Sequence, residues 1–243
     1  MKKNLYIMYA IALLQGMVFY SPIATLYRQA QGVTLFQITV IEGISLALGI
    51  LLELPWGVVA DKIGYRNTMV FCSGLYFVSK LVFWKATGFG GFLAERIMLS
   101  VVLSGFSGVD SSILYLSCQG KGSQNVFGIY NSLGTVGLLS AAAVFSLFVQ
   151  DNYALAGLLT AISYGLAALL SLGITEVKPV KTEQSPPEPF KTTVRETFNN
   201  RPLLLFLIGA ALMSEAHQTI TVFLNQLQYK RCGLPSWAIG VVY

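Results

Sequence analysis

The sequence predicts an all-α fold, a polytopic bundle of transmembrane helices, and three observations predict it. Only 11% of the 243 residues are charged while 54% are hydrophobic, too little polar character to clothe a water-soluble domain of this size. The mean hydropathy is +0.64. The apolar residues also gather in long blocks, each near the ~20 residues that cross ~30 Å of hydrocarbon. Blocks at 5–27, 35–57, 68–87, 92–117, 126–149, 153–174 and 202–225 are expected to span. That is more apolar helix than the core of one soluble enzyme could hide.

The first block is too long for a cleavable signal peptide, and Tyr20-Ser21-Pro22 does not resemble a small-residue cleavage site. It is expected to remain as the first span. Loops between the first six blocks are short, so consecutive helices are antiparallel neighbours. The exception is Glu176 to Arg201, a polar stretch carrying Ser185-Pro186-Pro187-Glu188-Pro189. Such a segment buries too little apolar area to fold and reads as a linker. Pro202 then opens a seventh helix, where its missing N–H costs little. The expected organisation is a six-helix bundle over 1–175, a linker over 176–201, and the start of a second bundle over 202–243.

The net charge is +5, and its placement explains it. With the N-terminus inside, Lys2, Lys3, Lys62, Arg66, Lys121, Lys178, Lys181, Lys191, Arg195 and Arg201 are cytoplasmic, while Arg28, Lys85, Lys230 and Arg231 face out. Lys80 and Arg96 fall within spans. Excess Lys and Arg on the inner side is the usual topology signal. It implies a multi-pass protein of the plasma or inner membrane with a cytoplasmic N-terminus, and lipid rather than nucleic acid as its surroundings. Cys72, Cys118 and Cys232 lie far apart, with no spacing that suggests a metal or redox centre.

The turn between the second and third blocks reads Gly57-Val58-Val59-Ala60-Asp61-Lys62-Ile63-Gly64-Tyr65-Arg66-Asn67. It resembles the signature loop of the major facilitator superfamily at every position but the last, where Asn67 stands for a basic residue. Six spans, a long linker and further spans are also that family's plan. The resemblance implies a major-facilitator-like six-helix N-terminal half with a partial C-terminal half. It also implies secondary transport by alternating access, with this loop as a conformational switch carried by Gly57, Asp61, Lys62, Gly64 and Arg66. The residue types fit. Glycines permit a tight turn and close helix approach, Asp61 can pair with a helix end or a base, and the bases suit an anionic membrane face.

Charges inside spans are costly and call for a function or a partner. Glu42 and Glu53 are eleven residues apart on the second helix, hence on one face about 16 Å apart, and Ser45 shares it. Glu53 equally suits a helix end in interfacial water. Arg96 and Asp110 again return to one face, about 21 Å apart, so each needs a partner elsewhere. Lys80 could serve Asp110 or Glu42. Glu42, Glu53, Arg96 and Asp110 are the candidate coupling residues for protons or another ion. Arg96 resembles the family's fourth-helix arginine motif, with Ser100 where a glycine is expected, and equally suits an Arg reaching the outer interface beside Glu95.

The fifth helix carries Gly128, Asn131, Gly134 and Gly137. This is similar to the glycine-rich motif of the family's proton-driven exporters without its proline, and is equally plain close packing. On the seventh, Glu215, Gln218 and Thr219 share a face, with His217 beside them and Asn225, Gln226 and Gln228 toward its outer end. Gln15, Tyr20, Asn131, Glu215 and Gln218 are the candidate cavity residues. Abundant aromatic residues suit amphipathic solutes, lipid contact and interfacial belts alike.

No phosphate-binding Gly-rich loop, nucleophile elbow or metal cluster is present, so no cofactor, metal, ATP drive or catalysis is expected. A membrane enzyme would need clustered His or carboxylates at one face, and there is a single His. An eighth helix is expected to open at Pro235 while the sequence ends at Tyr243, and truncation is expected. The resulting expectation is proton-coupled export of small amphipathic compounds; the alternative is a non-transporting remnant or accessory membrane protein.

Overall fold

The computed structural model describes residues 2–119, 122–150, 152–177 and 200–242. The expected linker from Lys178 onward, with its prolines, Lys181, Lys191 and Arg195, lies outside them up to residue 199, as does Lys121. Among the described residues the secondary structure is entirely helical.

The first span is two helices, α1 (Lys2–Gly16) and α2 (Ala24–Ala30), separated by a 3-10 turn at Ser21–Ile23. Pro22 sits at the start of that turn, where it lacks the N–H an unbroken helix would need. The break frees backbone groups that lipid could not satisfy. Thr160 Oγ1 accepts from Phe19 N–H at 3.0 Å, and the Gln226 amide accepts from Thr25 N–H and donates to the Ser21 carbonyl.

Helix α3 (Leu35–Ile63) opens with a reciprocal cap between Thr34 and Gln37 and runs through Pro55. At 29 residues it is about 43 Å long, more than the hydrocarbon requires. Gly64, at φ 90°, turns the chain into α4 (Tyr65–Lys85). The fourth span is α5 (Gly88–Phe106) and α6 (Val109–Ser117), broken at Gly108, whose φ of 80° is left-handed. Helix α7 (Ser123–Val144) widens into a π turn at Phe145–Val149, and α8 (Tyr153–Ser171) is capped by Asn152. The last segment is α9 (Arg201–Gln218), a π turn (Thr219–Leu224), α10 (Asn225–Arg231) and α11 (Ser236–Val242).

Five of these segments are long and apolar enough to cross a membrane: Lys2–Ala30, Leu35–Leu52, Gly88–Ser117, Ser123–Val149 and Tyr153–Ser171. Helix α4 has the length, at 21 residues, and is less apolar because Thr68, Ser73, Ser79 and Lys80 are buried against its neighbours. The helices alternate in direction. The bundle has a near end, holding Lys2, Ile63 and Ser171, and a far end, holding Ala30, Lys85 and Gly88. Helix α3 packs on α5, α5 on α4, α4 on α8, α8 on α1, and α1 on α7. Contacts of the 201–242 segment gather at the far end, α10 on α2 and α11 on the Phe145–Val149 turn. Large apolar side chains such as Phe36, Leu51 and Phe148 are exposed, as suits lipid.

The glycines of α7 are contact points with α1. A Cβ on Gly137 would overlap the Leu13 carbonyl, and one on Gly16 the Gly134 carbonyl, whereas one on Gly128 would meet nothing. Replacing Gly137 with Leu is therefore expected to lower stability in detergent by about 1–3 kcal/mol. Gly128→Ala should be neutral or slightly stabilising. Thermal unfolding of the two variants checks the contrast.

Candidate functional site

Five charged side chains from four helices meet about 10 Å from the far end. Arg28 of α2 donates to Glu42 Oε1 of α3 at 2.8 Å, and Arg96 of α5 reaches the same oxygen at 2.6 Å. Glu95 lies 3.7 Å from Lys80 Nζ of α4, 3.9 Å from Arg28 and 4.0 Å from Arg96. Lys80 donates to the Tyr20 hydroxyl at 2.9 Å. Burial is nearly complete: Glu95 is 1% exposed, Arg28 2% and Lys80 4%. Aromatic rings enclose the cluster. The Arg28 guanidinium stands 5.9 Å from both Phe83 and Phe92, and Tyr20 stacks on Phe83 at 3.9 Å. The rings and opposite charges together replace the water these groups have lost.

Glu42 and Arg96 also form the end wall of a cleft of about 330 Å³ between α3 and α5. One side is polar, with Ser45, Ser100, Ser104 and Ser107; the other is Leu46, Ile50 and Leu103. Ser45 and Ser100 share a 2.7 Å hydrogen bond, Ser100 donates to the Ser45 carbonyl, and Ser104 donates to the Gly49 carbonyl. These bonds account for a serine where the family motif has a glycine: Ser100 fastens α5 to α3.

Several expectations are corrected. Arg28, expected in the outer loop after the first span, is buried within the bundle, because the break in the first span turns the last turn of α2 inward. Lys80 pairs with Glu95 and Tyr20, not with Glu42 or Asp110. Arg96 finds Glu42 and Glu95 within the bundle rather than the interface. Asp110 is separated from Arg96's face by the break at Gly108; it accepts from Ser111 N–H in the first turn of α6, with Tyr130 as a side-chain partner. Tyr20 is at the cluster, so its hydroxyl is taken. Gln15 is half-buried, its carbonyl accepting from Tyr164 at 2.6 Å, and Asn131 is exposed. The side chains of Glu53, Asp61, Glu215 and Gln218 lie outside the description; their backbones are helical.

The stretch from Gly57 to Asn67 is not a loop. Helix α3 continues through Gly57, Asp61 and Lys62 to Ile63, and Gly64 alone breaks the helical run before α4. Its partner is the chain leaving α8. The Glu176 carboxylate accepts from the N–H groups of Tyr65 and Arg66 at 3.1–3.5 Å, capping α4, while Arg66 donates to the carbonyls of Ile174 and Leu172. Asn67 donates to the Ile63 carbonyl at 2.9 Å, closing the end of α3. That is what stands in place of the missing base. Asn4 adds a pair of bonds to Thr175.

Three important partners escaped the sequence: Arg28, Glu95 as a bridge, and Glu176, read as linker. A charge next to a proline break and an acid beside a known base were the available signals. No set of three or more His, Cys, Asp or Glu among the described residues is placed to hold a metal ion.

A helical multi-pass bundle with a broken first span, a buried ion cluster and a cleft between helices defines a polytopic membrane protein. The chain belongs to the Major Facilitator Superfamily, whose model matches residues 5–243; it is a family of membrane transporters, not of enzymes. Among solved structures it is similar to a point mutant of the nucleoside transporter NupG, with a TM-score of 0.70 and 19% identity, over 97% of this chain and 60% of that one. The chain thus spans about 60% of the length of that transporter. No curated protein matches it.

Glu95 lies within 4.0 Å of three cations and is 1% exposed, whereas Glu42 opens on the cleft. Glu95→Gln is expected to cost about 3–5 kcal/mol by stranding buried positive charge. Glu42→Gln should cost clearly less. Unfolding midpoints in detergent, converted with the wild-type enthalpy, compare them.

Proposed function

We propose that the protein acts in proton-coupled transport of small amphipathic compounds by alternating access, with Glu42 as the group that takes the proton. The carrying observation is that Glu42 Oε1 bridges Arg28 and Arg96 at the wall of a cleft. Protonation of that carboxylate weakens two ion pairs at once and loosens α2 and α5 from α3. The cleft's serine side and leucine-isoleucine side suit a solute with one polar end. The switch stretch joins the same scheme: Gly64 is the pivot between α3 and α4, and Glu176 and Arg66 tie that pivot to the chain that leads into the linker. Asp61, Lys62 and Gly57 complete it on the last turns of α3. The two bundles would be those of 1–175 and 202–243, moving about the linker.

The near end is proposed as cytoplasmic, in the plasma or inner membrane, on the strength of its Lys and Arg excess. A membrane-impermeant thiol reagent applied from outside should label a cysteine at Lys85 and spare one at Lys62 in a background lacking native cysteines; the reverse pattern overturns this orientation. Export was suggested by the glycines of α7. Gly134 and Gly137 are fully occupied as contacts with α1, so they carry no weight on direction.

In proteoliposomes bearing the chain within its full gene product, an imposed proton gradient is expected to drive net solute movement. Glu42→Gln should abolish the gradient-driven part and leave solute exchange. Wild-type flux that ignores the gradient would sink the coupling.

A further inference from the structure

The charge count of the cluster names a class of solute, and this inference rests on the cleft being the solute site. Among the described side chains, Arg28, Lys80 and Arg96 bring three positive charges and Glu42 and Glu95 two negative ones, which leaves three minus two, one positive charge unmatched. Neither arginine can shed its proton in a protein. The Lys80 ammonium stands over the rings of Tyr76, Tyr164 and Tyr20 at 4.9, 5.3 and 5.6 Å, which attract a cation. Inside the cluster the Nε atoms of Arg28 and Arg96 and the Glu95 Oε2 atom are all buried without a hydrogen-bond partner, so the charges there are only loosely paired. An unmatched buried cation is expensive, and Arg96 and Glu42, whose side chains are 14% and 19% exposed, both line the cleft.

We propose that the cleft takes a small organic monoanion, a carboxylate set against Arg96 with an apolar body along Leu46, Ile50 and Leu103. The bound anion brings the cluster from one positive charge to none. A cavity of about 330 Å³ is at the small end of ligand sites, which fits one ring or a short chain.

The sign of proton coupling follows. Glu42 faces Arg28 from α2, Arg96 and Glu95 from α5, Lys80 from α4 and the Tyr20 hydroxyl from the first span. Without the anion, a proton reaching Glu42 adds to an excess positive charge; with the anion bound, it only restores the charge that the cluster has with neither ligand. Anion and proton therefore favour each other's binding. The proton moves from the medium to the Glu42 carboxylate, and solute and proton cross in the same direction as an electroneutral pair.

All the lining residues lie on α3 and α5, so the 243-residue chain itself is the test material. Phenylacetate, phenylacetamide and phenethylamine share one shape and differ in charge. By equilibrium dialysis in detergent at neutral pH, phenylacetate should bind about tenfold or more tighter than the amide, with the amine weakest. Arg96→Gln should erase the preference for carboxylate while leaving amide binding, and Arg96→Lys should keep part of it. Leu103→Trp, which fills the cleft, should block all binding. In weak buffer, phenylacetate binding should take up protons, and Glu42→Gln should not.

Amide or amine binding as well as the carboxylate, blocked by Leu103→Trp, overturns the anion inference and leaves the cleft as the solute site. No binding of any probe overturns both. Proton release on binding overturns the shared direction. If Arg96→Gln fails to fold, the wild-type comparison of the three probes decides alone.

Discussion

Burying five charges inside a helical bundle sets the terms for the rest of this protein. In hydrocarbon, each must be met by an opposite charge, a hydrogen bond or an aromatic face, and here one helix from each of the first four spans supplies them. The cluster is therefore a geometric constraint as much as an electrostatic one: Glu42 can bridge Arg28 and Arg96 only if α2, α3 and α5 converge at one depth. Lys80 adds α4 and, through Tyr20, the turn that breaks the first span. A bundle held this way has a weak point by design, because Glu42 is the one carboxylate of the two with a path to open space.

The break in the first span is the second consequence. It turns Arg28 into the bundle and leaves backbone groups that only side chains from other spans can satisfy. Thr160 from α8 and Gln226 from α10 do so, the latter with both ends of one amide. The far end is thus held by charge and by hydrogen bonds to unwound backbone. The near end works differently: there Gly64 joins two helices across a single residue, and Glu176 and Arg66 each cap the other's segment.

Much of this was legible beforehand. The helical membrane bundle, the family, and the need of Glu42 and Arg96 for partners inside the bundle all follow from apolar blocks and from charges where charges are costly. The seventh block, expected as one span over 202–225, is divided into two helices by a π turn and is not among the five segments long and apolar enough to cross. What was not legible is instructive. Arg28 sits at the end of an apolar block, where a straight helix would have exposed it. Glu95 reads as a neighbour of Arg96, and only packing makes it the centre of three cations. Ser100 looks like a flaw in a glycine motif until α3 is seen beside it. Asp110 shares a helical face with Arg96 on paper, and Gly108 removes that face.

By itself, the sequence determined the class of this protein: a membrane bundle of the facilitator plan with a glycine-acid-base turn, because hydrophobic length and short-range motifs are local properties of a chain. The tertiary structure decided which charges meet, which carboxylate opens on the cleft, and that the turn is one residue long and clasped by Glu176. Those are contacts between residues fourteen to more than a hundred positions apart. They depend on where helices break and on which faces then pack, and no local pattern carries that information.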